Sequence, residues 1–186
     1  MIQDQKKELL EIVNRALSLG DVTLSSGQKS NYYIDARLVT LSSKGAYLTA
    51  SLMLDLLEGE KLDAIGGPTL GADPIIGAIA ALSWQRENPK DTFIVRKGAK
   101  AYGKKKEIEG PLHKNFRVVL VDDVVTTGGS LFNAIETVEK LGCEVVKVLA
   151  LVDRSEDAPR KFEAKGYKFQ ALFTSKDLDL VLAGRA

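Results

Sequence analysis

Sulfur and imidazole are scarce in this chain: its 186 residues include one cysteine, Cys143, and one histidine, His113. A single cysteine excludes an intrachain disulfide. No neighbouring sequence offers it an activating base, so Cys143 reads as a small buried residue entering a strand after Gly142. A single histidine disfavours any mechanism built on His-based proton transfer, and His113 reads as an exposed surface residue. Long apolar runs are missing too. None reaches the roughly 18 residues needed to span a bilayer, and the start, MIQDQKKELLEIV, is charged and amphipathic without an apolar signal core. A soluble, cytoplasmic protein is expected. Charge of one sign is also lacking: 26 basic and 25 acidic residues leave a net charge of +1. The whole-molecule field therefore favours neither nucleic acid nor an anionic membrane, and any attraction to an anionic ligand must be local.

What is present suits one domain over residues 1–186, with a hydrophobic fraction of 45% and enough length for a sizeable core. Leu9, Leu10, Ile12, Val13, Ala16 and Leu17 recur at helical spacing up to Gly20, which predicts a first helix. VTLSSGQKSNYYID predicts a short strand, a Ser-Ser-Gly turn and a second strand. Ser42 and Ser43 are candidate caps for a helix that carries Leu48, Leu52, Met53 and Leu56 on a broad apolar face and ends at Gly59. Strands and helices then alternate: strand Leu62 to Gly66, helix Ala72 to Arg86, strands Thr92 to Val95 and Arg117 to Val121, a helix after Gly129, and strand Val145 to Val152. Such alternation implies βαβ units, hence an α/β fold with a central, mostly parallel sheet flanked by helices. The tail adds a helix near Ala158 to Lys165, a strand near Phe169 to Phe173 and a short capped helix from Ser175.

The chemistry concentrates in RVVLVDDVVTTGGS, Arg117 to Ser130. Val118 to Val121 read as a buried parallel strand, and the carboxyl end of such a strand is where ligands bind in an open α/β sheet. Thr126, Thr127, Gly128, Gly129 and Ser130 present N–H groups and hydroxyls at a helix start, which suits a phosphate. Asp122 and Asp123 would repel that phosphate and need hydroxyls or a metal instead. A phosphate beside a diol describes a ribose 5-phosphate. Taken singly, Asp-Asp is turn punctuation and Thr-Thr-Gly-Gly-Ser a helix cap. Their order after a buried strand favours the ligand.

VVLVDDVVTTGGS resembles the phosphoribosyl-pyrophosphate (PRPP) motif of type I phosphoribosyltransferases. The resemblance implies that fold, with a small N-terminal hood over about residues 1–40. It also implies that Asp122 and Asp123 hold the ribose 2- and 3-hydroxyls, while Val124, Val125 and the turn through Ser130 wrap the 5-phosphate. One stretch breaks the strand-helix alternation: RKGAKAYGKKKEIEGP, Arg96 to Pro111, has six basic residues, three glycines and almost nothing to bury. It reads as a long mobile loop. Lys104, Lys105 and Lys106 are mostly a solvated charge run, whereas Arg96, Lys97 and Lys100 directly follow a predicted strand and start from the same sheet edge as the acidic pair. Displacement of pyrophosphate from a ribosyl C1 needs cations for the departing charge and exclusion of water, which a basic lid supplies. Mg²⁺ held mainly through PRPP and water would assist.

Three further segments are similar to orotate phosphoribosyltransferases in particular. VTLSSGQKSNYYID is similar to that family's N-terminal signature, which places aromatics around orotate, here Tyr33. VRKGAKAYGKKKEIEG is similar to its catalytic loop, about residues 97–110, in which the positions of Arg96, Lys97, Lys100 and Tyr102 meet the pyrophosphate. Lys100 counts there with Asp122 and Asp123 as catalytic. ALVDR ends in Arg154, matching the arginine that meets the base, as Thr126 matches a threonine that touches it. A guanidinium fork suits the carboxylate and imide oxygens of orotate. The family implies a homodimer with each lid reaching its neighbour's site. The chain departs from the family pattern at Ser25, Gly71 and Tyr102, where a basic residue, a nearby lysine and a histidine are usual. Two alternatives stay open at this level: a phosphoribosyltransferase for a purine base, and a PRPP-sensing regulator without catalysis.

Overall fold

The computed structural model describes residues 2–23, 29–96, 98, 107–155 and 157–178. Helix α1 (Ile2–Arg15) buries Leu9 and Val13. It stops short of Leu17, which the apolar spacing had included. The chain turns at Ala16, whose N–H donates to the Val13 carbonyl at 3.0 Å. Leu17 instead opens strand β1 (Leu17–Thr23), antiparallel to β2 (Lys29–Ile34), and the Leu17 and Ile34 partners are both buried. A five-residue helix not foreseen, α2 (Ala36–Thr40), follows at once. Asp35 caps it, its Oδ1 accepting the Arg37 N–H at 3.3 Å. Helix α3 (Ser43–Asp55) has Ser42 as its cap, as expected, with Oγ accepting from the Gly45 N–H at 3.1 Å.

Strand β3 (Ala64–Pro68), helix α4 (Asp73–Gln85), β4 (Asp91–Val95) and β5 (Ile108–Glu109) come next. β6 (Arg117–Val125), α5 (Gly129–Lys140), β7 (Glu144–Asp153), α6 (Ala158–Glu163) and β8 (Phe169–Thr174) complete the βα pattern. The last described turn is a 3₁₀ helix, Ser175–Asp177, closed by a capping box between Thr174 and Asp177. β3 lies two residues later than the expected Leu62 to Gly66, α3 ends at Asp55 rather than Gly59, and two further boundaries bear on the site. β6 runs on through the acidic pair to Val125, because β7 continues beside it and supplies a ladder partner for Asp122, Val124 and Val125. The basic stretch expected to be loop as far as Pro111 is pinned before that: Ile108 and Glu109 pair antiparallel with Val95 and Ile94.

The six-stranded sheet has the order β5-β4-β3-β6-β7-β8, parallel except at β5. Alternate residues of its central strands enter two separate apolar layers. Ile65, Val119, Val121, Leu149 and Leu151 pack with residues of α1, α3 and α4. Val118, Leu120, Val148 and Ala150 pack with Leu131, Ala134 and Ile135 of α5 and Phe162 of α6. Burial on both faces explains why these strands read as continuous apolar runs. Cys143 lies in the second layer, its Sγ donating to the His113 carbonyl at 3.3 Å, and burial pushes its thiol up. His113 is exposed. Among the described residues, no helix is long and apolar enough to cross a membrane.

This topology positions the site. β3 leads through α4 to β4 on one side, while β6 leads through α5 to β7 on the other. The connections from the adjacent ends of β3 and β6 therefore diverge, and a crevice opens between them, at the switch point where α/β sheets bind ligands.

Candidate active site

A cavity of about 470 Å³ occupies that crevice. Four segments line it: Tyr33 to Arg37 from β2 and α2, Pro68 to Gly71 after β3, Asp122, Asp123, Val124, Thr126 and Ser130 from the end of β6 and the start of α5, and Arg154 after β7. The acidic pair sits at its floor. Asp122 is only 8% exposed, so its carboxylate cannot be turn punctuation in open water. Its Oδ1 accepts the Asp123 N–H at 3.0 Å, and Asp123 Oδ1 accepts the Val124 N–H at 2.7 Å. These bonds fix both carboxylates against the strand end. Burial pushes the Asp123 carboxyl above the usual aspartate range, and the Val124 N–H, Asp122 and the charge of Arg37 pull against that shift without cancelling it.

The opposite wall brings space rather than charge. Gly66 and Gly67 of β3 have no room for a Cβ: one would meet the Phe93 ring, the other the Val121 carbonyl. β3 can therefore lie close against its neighbours. At Gly71 a Cβ would stand 2.5 Å from Asp123 Oδ1 and 2.7 Å from Asp122 Oδ1. The backbone after β3 thus reaches the carboxylates directly. The Thr69 hydroxyl ties this segment to α4 by donating to Asp73 Oδ2 at 2.9 Å.

The turn from β6 into α5 divides its residues. Thr126 and Ser130 line the cavity, while Val125 is buried in the layer beneath α5 and presents only backbone, its carbonyl accepting the Arg154 N–H at 2.9 Å. Gly128 takes φ +80°, a left-handed conformation in which a side chain would also crowd Phe132 and Phe162. The Thr127 hydroxyl accepts the Gly129 N–H at 3.4 Å.

Arg154 packs against the β1–β2 ribbon. Asp153 accepts from the N–H and hydroxyl of Ser155, both at 2.9 Å, and Glu156 lies outside the described residues. The Arg154 guanidinium lies 4.2 Å over the Tyr32 ring and its Nη2 donates to the Tyr32 carbonyl at 2.9 Å. The arginine at the end of β7 therefore holds the β1–β2 ribbon beside the cavity, with Tyr33 on the lining. Arg96 is placed elsewhere. It follows β4, its N–H donates to the Glu107 carbonyl at 2.8 Å, and its Nη1 pairs with Glu109 at 3.6 Å. It is not on the cavity wall of its own chain. Ser25, Lys97, Lys100, Tyr102 and the Lys104 to Lys106 run lie outside the described residues.

Sequence reasoning missed the lining pair Asp35 and Arg37. Arg37, in α2, reaches the cavity beside Tyr33 and Asp35, and its Nε donates to Asp35 Oδ1 at 3.4 Å. Asp35, then Tyr33, hold its guanidinium firmly in the charged form. The only signal in the sequence is an Asp-x-Arg step after the paired tyrosines, which no helix or strand period singles out.

Comparison with known proteins agrees with this geometry. The phosphoribosyl transferase domain model matches residues 44–171. An orotate phosphoribosyltransferase of Streptomyces avermitilis is 42% identical over 173 residues, covering 92% of this chain and 95% of that protein. Two crystal structures of Mycobacterium tuberculosis H37Rv orotate phosphoribosyltransferase superpose on the fold. The complex with Fe(III) dicitrate has a TM-score of 0.81 at 39% identity, covering 95% of this chain and 99% of that one. The complex with PRPP has a TM-score of 0.77 at 36% identity, covering 93% and 98%. With its acidic pair and phosphate-type turn at the switch point of a mostly parallel sheet, the chain belongs to the phosphoribosyltransferase family and, within it, to the orotate phosphoribosyltransferases.

Proposed function

We propose that the cavity holds PRPP and orotate side by side, with the ribose 2- and 3-hydroxyls on Asp122 and Asp123 and the 5-phosphate in the turn from Val124 to Ser130. Thr126, Tyr33 and Arg154 meet the base. As an orotate phosphoribosyltransferase, the chain transfers the 5-phosphoribosyl group of PRPP to orotate, yielding orotidine 5′-phosphate and pyrophosphate in pyrimidine biosynthesis. The observation that carries the residue assignment is the seating of two backbone-anchored carboxylates beside a phosphate-type turn in one cavity.

In this reading the orotate ring nitrogen forms a bond to C1 as the bond from C1 to the pyrophosphate oxygen breaks, and the electron pair leaves with pyrophosphate. Orotate reacts as an anion formed at low cost, so no histidine is required. The acidic pair fixes the sugar by its diol, and the arginine beyond β7 fixes the base, so both reactants are held in line. Asp122 and Asp123 are adjacent hard oxygen donors on the cavity floor, and a pair rather than a cage suits Mg²⁺ held mainly through PRPP and water. Bound there, the ion would offset charge on the departing pyrophosphate.

Arg96, Lys97, Lys100 and Tyr102 form the lid of a partner's site in a homodimer. Two features support that arrangement: Arg96 stands off the cavity of its own chain, and Leu38, Leu41 and Tyr47 leave apolar side chains exposed on α2, the turn after it and α3. The protein works in the cytoplasm as one domain. Loss of orotate absorbance on mixing the protein with Mg²⁺ and PRPP tests the activity. Turnover of hypoxanthine or adenine with orotate inert would favour a purine enzyme, and PRPP binding without any turnover would favour a sensor.

A further inference from the structure

A pyrophosphate carries several negative charges, yet three carboxylates, those of Asp35, Asp122 and Asp123, face the cavity. Among the described residues of its wall the cations are Arg37 and Arg154. Arg154 is engaged with the ring and carbonyl of Tyr32, on the β7 side. On the β3 side the segment from Pro68 to Gly71 has no charged side chain, and at Gly71 none fits, because a Cβ would press on both aspartates. Backbone alone is a weak receptor for that much charge.

Arg37 stands where a cation is missing. Its Nε is held by Asp35 Oδ1 at 3.4 Å, its side chain is still 53% solvent-exposed at the cavity, and its charge is felt at Asp123 on the floor. The orientation of the sugar follows from its two anchors. With the diol on the acidic pair and the 5-phosphate in the turn leading to α5, C1 points away from α5. The leaving group then departs on the side of the β3 segment and the hood, while the incoming base lies on the β7 side with Arg154.

We infer that Arg37 binds the pyrophosphate group of PRPP from the hood side of the cavity, as a planar fork placed where the β3 segment offers only backbone. This rests on the PRPP reading above. Nothing in the motif around the acidic pair announces it. Arg37 comes from an element remote in sequence, and it acts on the leaving group rather than on the sugar or the base.

The test uses the full chain with Arg37→Ala, Arg37→Gln and Arg37→Lys, each checked for folding by circular dichroism. Steady-state kinetics give separate KM values for PRPP and orotate, and calorimetry gives the affinity for inorganic pyrophosphate with Mg²⁺. Removing the fork is expected to raise the KM for PRPP and the Kd for pyrophosphate roughly tenfold or more, leaving the KM for orotate within about twofold. Arg37→Lys should recover part of the loss, since it restores charge without bidentate geometry. Should Arg37→Ala not fold, Arg37→Gln and Arg37→Lys carry the same comparison. Unchanged pyrophosphate affinity in folded variants, or a rise confined to the KM for orotate, overturns the inference. An inactive wild type that does not bind PRPP would instead overturn the reading on which it rests.

Discussion

Two strand-to-helix connections face each other across the crevice, and they serve it in opposite ways. The one from β6 to α5 delivers functional groups: two carboxylates, two cavity-lining hydroxyls and a left-handed glycine. The one from β3 to α4 delivers closeness: Gly66 and Gly67 let β3 press against its neighbours, and Gly71 lets backbone reach the carboxylates. A motif search sees the first and passes over the second, because a missing side chain leaves no chemical signature. Yet neither makes a site alone. The carboxylates hold their geometry only while nothing fills the space opposite them.

The largest effect that can break this comparison is Asp123→Asn. On the proposed binding of the ribose diol by Asp123, loss of its charge should lower kcat/KM for PRPP by roughly a hundredfold. Stability should move the other way. The folded pKa of Asp123 is raised by burial, so its contribution to stability is fully present below the unfolded value and is lost as pH rises through the folded value. At neutral pH the ionised carboxylate is a destabilising group, and Asp123→Asn should raise Tm. A Tm that falls would show that Asp123 supports the fold rather than the ligand. The same shift places the acid limb of kcat/KM for PRPP above the usual aspartate range, measurable as a pH–rate profile in the wild type.

Next in size is Gly71→Ala. A Cβ at 2.5 and 2.7 Å from the two carboxylate oxygens must displace them, and kcat/KM for PRPP should fall by tens of fold, roughly. Gly77→Ala in α4, where nothing lies within 4 Å of the added methyl, serves as the control and should leave activity unchanged. Equal behaviour of the two would erase the claim that closeness on the β3 side is functional. Arg154→Ala comes third: its KM for orotate should rise roughly tenfold while the KM for PRPP changes little. Equal losses for both substrates would remove Arg154 from the base and leave it as the tie to Tyr32. The smallest effect is that of Gly128→Ala, which forces a side chain into φ +80° beside Phe132 and Phe162. A cost of about 1–2 kcal/mol, read as a Tm lower by several degrees, is expected.

The sheet was legible because its signal is local. Strands buried on both faces must be apolar throughout, and β3, β6 and β7 were recognisable for that reason. The α3 cap at Ser42 and the turn at Gly128 were legible from residue type. What escaped depended on partners distant in sequence. β6 extends through Asp122 and Asp123 because β7 lies alongside, and Ile108–Glu109 form a strand only because β4 offers an edge. Leu17 leaves the helical pattern because Ile34 pairs with it, and α2 is too short to show a period. Arg37 was invisible for the same reason: its value lies in facing Asp123, which only packing of the hood over β6 brings about.

The amino-acid sequence by itself determined the chemistry at one strand end: two carboxylates that need hydroxyls, and a glycine- and hydroxyl-rich turn that suits phosphate. Those properties belong to residues adjacent in the chain, so linear order suffices to state them. The tertiary structure decided what surrounds that end. It laid β3 beside β6, brought Gly71 against the acidic pair, placed Arg37 on the cavity wall, and seated the Arg154 guanidinium over Tyr32. Each of these is a contact between residues far apart in sequence, and such contacts exist only once the buried sheet has set the distances between them.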